Sequence, residues 1–397
     1  MRLLLSLFLI FLLRQSAEGD EAVMSMDGTE GSSAPHVDLF KGCTHYDLQQ
    51  EGYLQPGQHL VCAVSNPETG GLLVSIIKDS ELGSEMFFEY KYEANTDIED
   101  LFTHLHELVG TSNKRPASKW KMFTLDGGEA IGSLDNLVYH GESIIYTNGN
   151  FIWPGVAVGY KRSTPEGYDV ETLSLRPLVL RVANFLTFEE CDYIRSQSEP
   201  NMAASGTSKM DHDRDKPDTT WRTSTQYFLP SAHRPIIQAI DKRTAALTKT
   251  QVNQQEYVQV LRYLEGQKYD QHHDYFDAKF YQKDLETLRN IKHGEKNRLA
   301  TVLWYLTTVE EGGHTIFPLA NGNKFGHDHD FTDCSLPGAL KVQPVKGEVI
   351  VFYSLTADGG MDVSSLHGAC PVGKGGDINM KWAANKWIWS EAAGFLS

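Results

Sequence analysis

The chain has 397 residues, 41% of them hydrophobic and 11% aromatic, which is enough for two packed domains and too apolar for a disordered chain. Its formal charge is −16, and no basic block of any length interrupts the acidic balance. Nucleic acid and an anionic membrane surface are therefore excluded as main partners, and neutral or basic substrates fit better.

Residues 1–19 carry an early Arg2, an apolar run over 3–13 and small residues near position 17, the pattern of a secretory signal peptide. The run is too short for the roughly 20 residues of a spanning helix, so a membrane anchor is not expected. This implies the secretory pathway, either the endoplasmic reticulum lumen or the exterior, where the five cysteines (Cys43, Cys62, Cys191, Cys334 and Cys370) would form one or two disulfides. Residues 20–36 are small, polar and acidic, and read as a flexible entry segment.

A first domain is expected over 37–153. LVCAV (60–64), LLVSIIK (72–78) and MFFEYKY (86–92) read as strands, the first two joined by a turn-type NPETGG. Ile98, Leu101, Phe102, Leu105, Leu108 and Val109 recur at helical spacing behind Thr96 and Glu99, and Gly110 ends the pattern. KWKMFTLDGG (119–128) and SIIYTNG (143–149) add later strands. The stretch from Met122 to Gly149 resembles the second half of a ubiquitin-like β-grasp domain of the doublecortin type, with no catalytic residues of its own.

Residues 154–177, rich in Gly, Pro and Ser, read as a linker to a larger domain over 178–392. Two helical stretches, 187–198 and about 231–248, come with short β runs at 222–229, 257–264, 299–306, 347–354 and 380–389. Many short strands point to an antiparallel barrel or jelly roll.

The chemistry centres on KYDQHHDYFD (268–277). On an extended segment, residues i and i+2 share a face, so His272 and Asp274 point together and His273 points away. An imidazole and a carboxylate on one face, completed by a distant histidine, form a two-histidine, one-carboxylate set for Fe(II) with open positions. His367 in SLHGACPV is the best distant candidate, sitting in a turn between two strong strands. A lysine inside an apolar barrel, Lys381, could pair with the carboxylate of an organic acid.

Seven runs occur in one order: NFLTFEEC (184–191), WRTS (221–224), QVLRYLEGQKYDQHHDYF (259–276), RLATVLWYLTTVEEGGHTIFP (298–318), VQPVKGEVIVFYS (342–354), SLHGACPV (365–372) and KWAANKWI (381–388). Together they resemble the prolyl 4-hydroxylase branch of the Fe(II)/2-oxoglutarate-dependent dioxygenases, and the resemblance spans about residues 178–390. It implies an α+β chain whose double-stranded β-helix, a jelly roll, follows the small β-grasp-like domain. It also implies His272, Asp274 and His367 as iron ligands, Lys381 and Tyr263 as the partners of 2-oxoglutarate, Tyr269 and Trp387 as substrate-side aromatics, and Arg222 and Arg298 as residues that contact substrate or support the site. The implied cofactors are Fe(II), 2-oxoglutarate and O2, with ascorbate by the same likeness. The implied reaction converts a proline within a peptide or protein to hydroxyproline, with succinate and CO2 as coproducts. A disulfide isomerase partner is not implied, because the N-terminal region differs from that of the collagen-type subunits.

Several polar clusters have plainer readings. His36-Val37-Asp38 repeats the His-x-Asp spacing without the later motifs, and residues 211–215 and 327–330 sit in polar loops where such side chains are commonly just solvated. Residues 201–219 read, by the resemblance, as a loop that grips substrate. Two departures from the family stand out: His314 where a glutamate is usual, which could bring a third imidazole to the metal, and extra glycines at 373–376, which could shift Lys381. Two rival functions are hydroxylation of another side chain on the same scaffold and an inactive binding protein on a decayed dioxygenase fold. The complete set of His272, Asp274, His367 and Lys381 speaks against decay.

Overall fold

The computed structural model describes residues 54–78, 85–93, 96–109, 116–324, 330 and 333–393. The expected signal peptide, the 20–36 segment, His36, Cys43 and most of 327–330 lie outside the described residues. Among the described residues, no helix is long and apolar enough to cross a membrane.

The N-terminal part is built from β1 (Gln58–Ser65), β2 (Leu72–Ile77), β3 (Glu85–Tyr90), α1 (Ile98–Val109), β4 (Lys121–Thr124), β5 (Ala130–Ile131), α2 (Leu134–His140) and β6 (Glu142–Tyr146). The strands form one sheet in the order β3-β2-β1-β6-β4-β5. Alternation divides β1 between two cores. Val61 and Ala63 pack with Ile98, Leu101 and Leu105 of α1, while Leu60 faces the opposite side. The expected strands and helix are present, but the β-grasp arrangement is not. A β-grasp sheet runs its first and last strands parallel, whereas β1 and β6 pair antiparallel, as do all the other pairs of this sheet. The extra strand β3 accounts for the difference: it delivers the chain to α1 from the opposite end of the sheet and so reverses β4 and β6.

The remaining strands are β7 (Lys161–Ser163), β8 (Asp169–Leu175), β9 (Leu178–Val182), β10 (Ala203–Ala204), β11 (Thr225–Leu229), β12 (Val258–Tyr263), β13 (Tyr269–His272), β14 (Arg298–Tyr305), β15 (Thr315–Phe317), β16 (Leu340–Val342), β17 (Val349–Tyr353), β18 (His367–Ala369) and β19 (Lys381–Trp389). The helices α3 (Phe188–Ser198), α4 (Pro235–Thr248) and α5 (Leu285–Asn290) lie among them. Nine strands form a sheet in the order β10-β11-β12-β19-β14-β17-β9-β8-β7, and four form a second in the order β13-β18-β15-β16. Phe317 and Val342 of the smaller sheet pack on Leu303, Tyr305, Ile350, Phe352 and Ala383 of the larger, so the two enclose a jelly-roll interior.

The stretch read as a linker belongs to the large sheet. Asp169–Leu175 alternates outward and buried residues, with Val170, Thr172 and Ser174 turned in, a period-2 signal that the Gly and Pro content around it had masked. The two regions also share one hydrophobic core, in which Leu60, Phe123, Ile144, Tyr146 and Trp153 pack with Leu178, Leu180, Val349 and Val351.

Alternation also explains why the central strands read as almost wholly apolar. On β14, Ala300, Val302 and Trp304 face the helices and the N-terminal sheet, while Leu303 and Tyr305 face the jelly-roll interior. On β19, Lys386 falls on the helix-facing side and forms a fully buried ion pair with Asp241 of α4, Nζ to Oδ1 at 2.7 Å. Removing one partner leaves a buried charge uncompensated. Asp241→Ala is therefore expected to lower unfolding stability by about 3–5 kcal/mol, while joint replacement of both residues by apolar ones should cost far less. Urea unfolding of the two variants checks this.

Candidate metal and 2-oxoglutarate site

The antiparallel pairing of β13 with β18 sets His272 directly opposite His367, with their rings 4.5 Å apart. Asp274, two residues beyond His272, lies between them, Oδ1 at 3.7 Å from His272 Nε2 and Oδ2 at 3.6 Å from His367 Nε2. The ligand atoms of all three lie within 4.8 Å of one another. His273 turns away, and its Nε2 bonds the carbonyl of Val363 at 3.0 Å.

The surroundings prepare these three groups for a cation. Nδ1 of His272 donates to the carbonyl of Asp270 at 2.8 Å, and Nδ1 of His367 donates to that of Ser365 at 3.0 Å, so both Nε2 atoms are turned to the centre. Burial, reinforced by His367, pushes the His272 imidazole down to about 3, which keeps it neutral. For Asp274, burial alone would favour the neutral acid. His367, His272, Arg298 and the Thr301 hydroxyl outweigh it and hold the carboxyl well below its ordinary range. An uncharged His272 imidazole and an ionised Asp274 carboxylate are protonation states a divalent metal requires, and with His367 Nε2 turned to the same centre the donor set fits Fe(II).

Thr301 was not singled out in the sequence, although a lone hydroxyl in RLATVLWYL, on the face shared by Leu303 and Tyr305, was a usable signal. Its Oγ1 donates to Asp274 Oδ2 at 2.6 Å. Thr301→Val removes this orienting bond at nearly constant volume, and metal affinity is expected to fall about 10- to 100-fold in a metal titration.

Lys381 is only 2% exposed, and burial drives its ammonium down to about 7. Among the described residues, no acidic side chain pairs with it. Its nearest rings are Tyr263 at 5.3 Å and Tyr305 at 6.0 Å. The contrast with Lys386, which has Asp241, marks Lys381 as a cation lacking its anion. Beyond the glycine-rich stretch, Lys381 stands opposite Tyr263 in the β12–β19 pairing. Asn379 pins the insertion by accepting from the amides of Glu310 and Glu311 and donating to the carbonyls of Glu311 and Lys374.

Tyr269, Arg222, Arg298 and Trp387 divide into two pairs. Tyr269 stacks on His272 at 3.8 Å, and the Arg222 guanidinium lies 4.4 Å from the Tyr269 ring with its Nη2 buried and unpartnered. Arg298 lies 3.6 Å from the Trp387 ring and is held by Glu256 through Nε–Oε1 at 2.7 Å and Nη2–Oε2 at 3.2 Å. Glu256 also accepts from Trp389 Nε1 at 2.7 Å. With its charge matched in this way, Arg298 braces Trp387 and the backbone of Asp274, where its Nη1 reaches the carbonyl at 3.4 Å. Glu256 had no signal in the sequence.

His314 does not join the metal set. It lies beside Cys334 and Cys370, which form a disulfide closing a loop onto the strand that starts at His367. Cys62 is also disulfide-bonded, and Cys191 is a buried free thiol that burial raises to about 11.

Residues 258–389 match the family model described as the 2OG-Fe(II) oxygenase superfamily. Prolyl 4-hydroxylase 5 of Arabidopsis thaliana is 38% identical over 221 residues, covering 55% of this chain and 70% of that protein. Prolyl 4-hydroxylase 1 of the same plant is 37% identical over 229 residues, covering 56% and 72%. Among solved structures, a viral collagen prolyl hydroxylase from Paramecium Bursaria Chlorella virus-1, in complex with 2-oxoglutarate, is 24% identical with a TM-score of 0.37, over 53% of this chain and 95% of that one. With two histidines on facing strands, a carboxylate just beyond one of them and identity of this extent to its members, the chain belongs to the prolyl 4-hydroxylase family of Fe(II)/2-oxoglutarate dioxygenases.

Proposed function

We infer that this enzyme hydroxylates proline within a peptide or protein chain, consuming O2 and 2-oxoglutarate and releasing succinate and CO2. The observation that carries the reading is a two-histidine, one-carboxylate face beside a buried lysine that has no acidic partner among the described residues. His272, Asp274 and His367 would hold Fe(II). Bound there, the iron supplies the activation of O2 that places one oxygen atom on an unactivated C–H bond, with 2-oxoglutarate as the electron source.

The chain's own groups do the rest. Lys381 receives the distal carboxylate of 2-oxoglutarate, with Tyr263 donating a hydrogen bond beside it. Tyr269 and Trp387 wall the substrate side, and the unpartnered Nη2 of Arg222 is a donor suited to a peptide carbonyl. Arg298 acts mainly by holding Trp387 and Asp274 in place. Ascorbate as the reductant that keeps iron ferrous is part of the same proposal, as is the secretory pathway, which residues 1–19 and the Cys334–Cys370 disulfide support.

A panel of proline-containing peptides, assayed beside free proline for 2-oxoglutarate turnover, tests the substrate class. Peptides should turn over faster, because flanking backbone supplies the remote binding energy that orients the reacting carbon. Faster oxidation of free proline, or of a peptide lacking proline, would overturn it.

A further inference from the structure

The N-terminal sheet grips the loop that delivers His367. Between β17 and β18 the chain folds back on itself, with Leu355 bridging Met361 and the amide of Thr356 donating to the carbonyl of Gly360 at 2.8 Å. The Asp358 carboxylate closes this loop by accepting from the Thr356 hydroxyl at 2.5 Å and the Gly360 amide at 2.8 Å. Two turns of the N-terminal region hold its tip. The amide of Asp358 donates to the carbonyl of Pro56 at 2.9 Å, and the amide of Asn148 donates to that of Ala357 at 3.1 Å. Thr147 joins these two turns by donating its amide to the carbonyl of Gly57 at 3.0 Å. The approach is close enough to require glycine. Gly57 has φ +87°, and a Cβ there would lie 2.4 Å from the Asp358 nitrogen.

The other end of the same loop holds His367 of the metal face and also His273, which turns away from it. The amide of Asp362 donates to the carbonyl of Ser354 at 2.9 Å, and the carbonyl of Asp362 accepts from the Ser365 hydroxyl at 2.7 Å. The Ser365 carbonyl then fixes Nδ1 of His367, and the Val363 carbonyl fixes Nε2 of His273. Hydrogen bonds and the short backbone segments between them thus connect Pro56, Gly57 and Asn148 to the ring of His367. A further tie, from the amide of Trp153 to the hydroxyl of Tyr353 at 3.2 Å, anchors the end of β17 from which the loop departs.

We propose that residues 54–153 act as a positioning element for the imidazole of His367, working through the 355–365 loop, so that metal affinity is set partly outside the jelly roll. This rests on the reading of His367 as a metal ligand. It assigns a role to the N-terminal region within the site's own chemistry, and anything that shifts the turns at 56–57 or 147–149 becomes a means of altering metal affinity.

The test uses the full chain and Co(II) as the probe, following its ligand-field absorption during titration. Gly57→Ala disturbs one turn. Gly149→Ala disturbs the other, since its φ is +75° and a Cβ would lie 2.6 Å from the Lys119 carbonyl oxygen. Asp358→Ala is the milder change, removing only the carboxylate that closes the loop. Tyr139→Ala, at an 83% exposed position of the same region, is the control. Among variants that keep the wild-type circular dichroism, those at 57, 149 and 358 should bind Co(II) about tenfold or more weakly and with a shifted absorption band, and the control should match wild type. Wild-type affinity and spectrum in the folded 57, 149 and 358 variants would overturn the proposal. Wild-type Co(II) binding by His367→Ala would instead overturn the ligand assignment beneath it, so the two failures are distinguishable.

Discussion

His272→Ala, Asp274→Ala and His367→Ala should each reduce turnover to background and each lose tight metal binding, while His273→Ala keeps most of both. The reason is geometric. The first three present their donor atoms to one point, and His273 spends its Nε2 on the Val363 carbonyl. Two-histidine, one-carboxylate sites have no spare ligand, so one deletion leaves too few donors to hold the metal against water. Asp274→Ala should be the most severe, because it removes the negative charge shared by both imidazoles. Metal content and 2-oxoglutarate turnover of the four purified variants decide this. Loss of metal in His273→Ala with retention in His272→Ala would mean that the face is misassigned.

Lys381→Ala should weaken 2-oxoglutarate binding tens- to thousands-fold while changing metal affinity little. Truncating one partner of a buried charge-assisted contact costs about 2–5 kcal/mol, and on the proposed reading Lys381 is the partner of the distal carboxylate. The pH dependence gives a second signature. With the pocket empty, burial holds the ammonium near 7 instead of its ordinary 10.5, so above neutrality the resting lysine is increasingly neutral. An incoming carboxylate favours the protonated form, and binding must then take up a proton. Affinity should therefore fall as pH rises above about 7, approaching tenfold per unit, and this slope should vanish in Lys381→Ala. Titrations between pH 6 and 9, on the order of one-unit steps, would expose either result. A pH-independent affinity in the wild type would show that Lys381 is not the group that receives the cosubstrate.

Much of this was legible in the sequence because period-2 alternation survives in short strands. His272 and Asp274 could be put on one face from spacing alone, and the large apolar runs at 257–264, 299–306, 347–354 and 380–389 correspond to strands β12, β14, β17 and β19. What stayed hidden depends on long-range pairing. The opposition of His272 and His367 is a property of the β13–β18 register, and the Glu256–Arg298 pair joins residues 42 apart in sequence. Asp169–Leu175 was missed because neighbouring glycines and prolines outweighed a modest alternation of valine, threonine and serine. The N-terminal sheet was misjudged for a related reason. Local patterns identify strands and a helix, but the direction in which the last strand pairs with the first is fixed only when the whole chain is laid down.

The most direct test of the account is to incubate the enzyme with a proline-containing peptide, Fe(II), 2-oxoglutarate and isotopically labelled O2, and to locate the label by fragment mass spectrometry. The account predicts a single labelled oxygen on carbon 4 of a proline ring, with succinate formed in equal amount and no product when Fe(II) or 2-oxoglutarate is withheld. Label on a residue other than proline, or succinate formation without an oxygenated peptide across the panel, would contradict it.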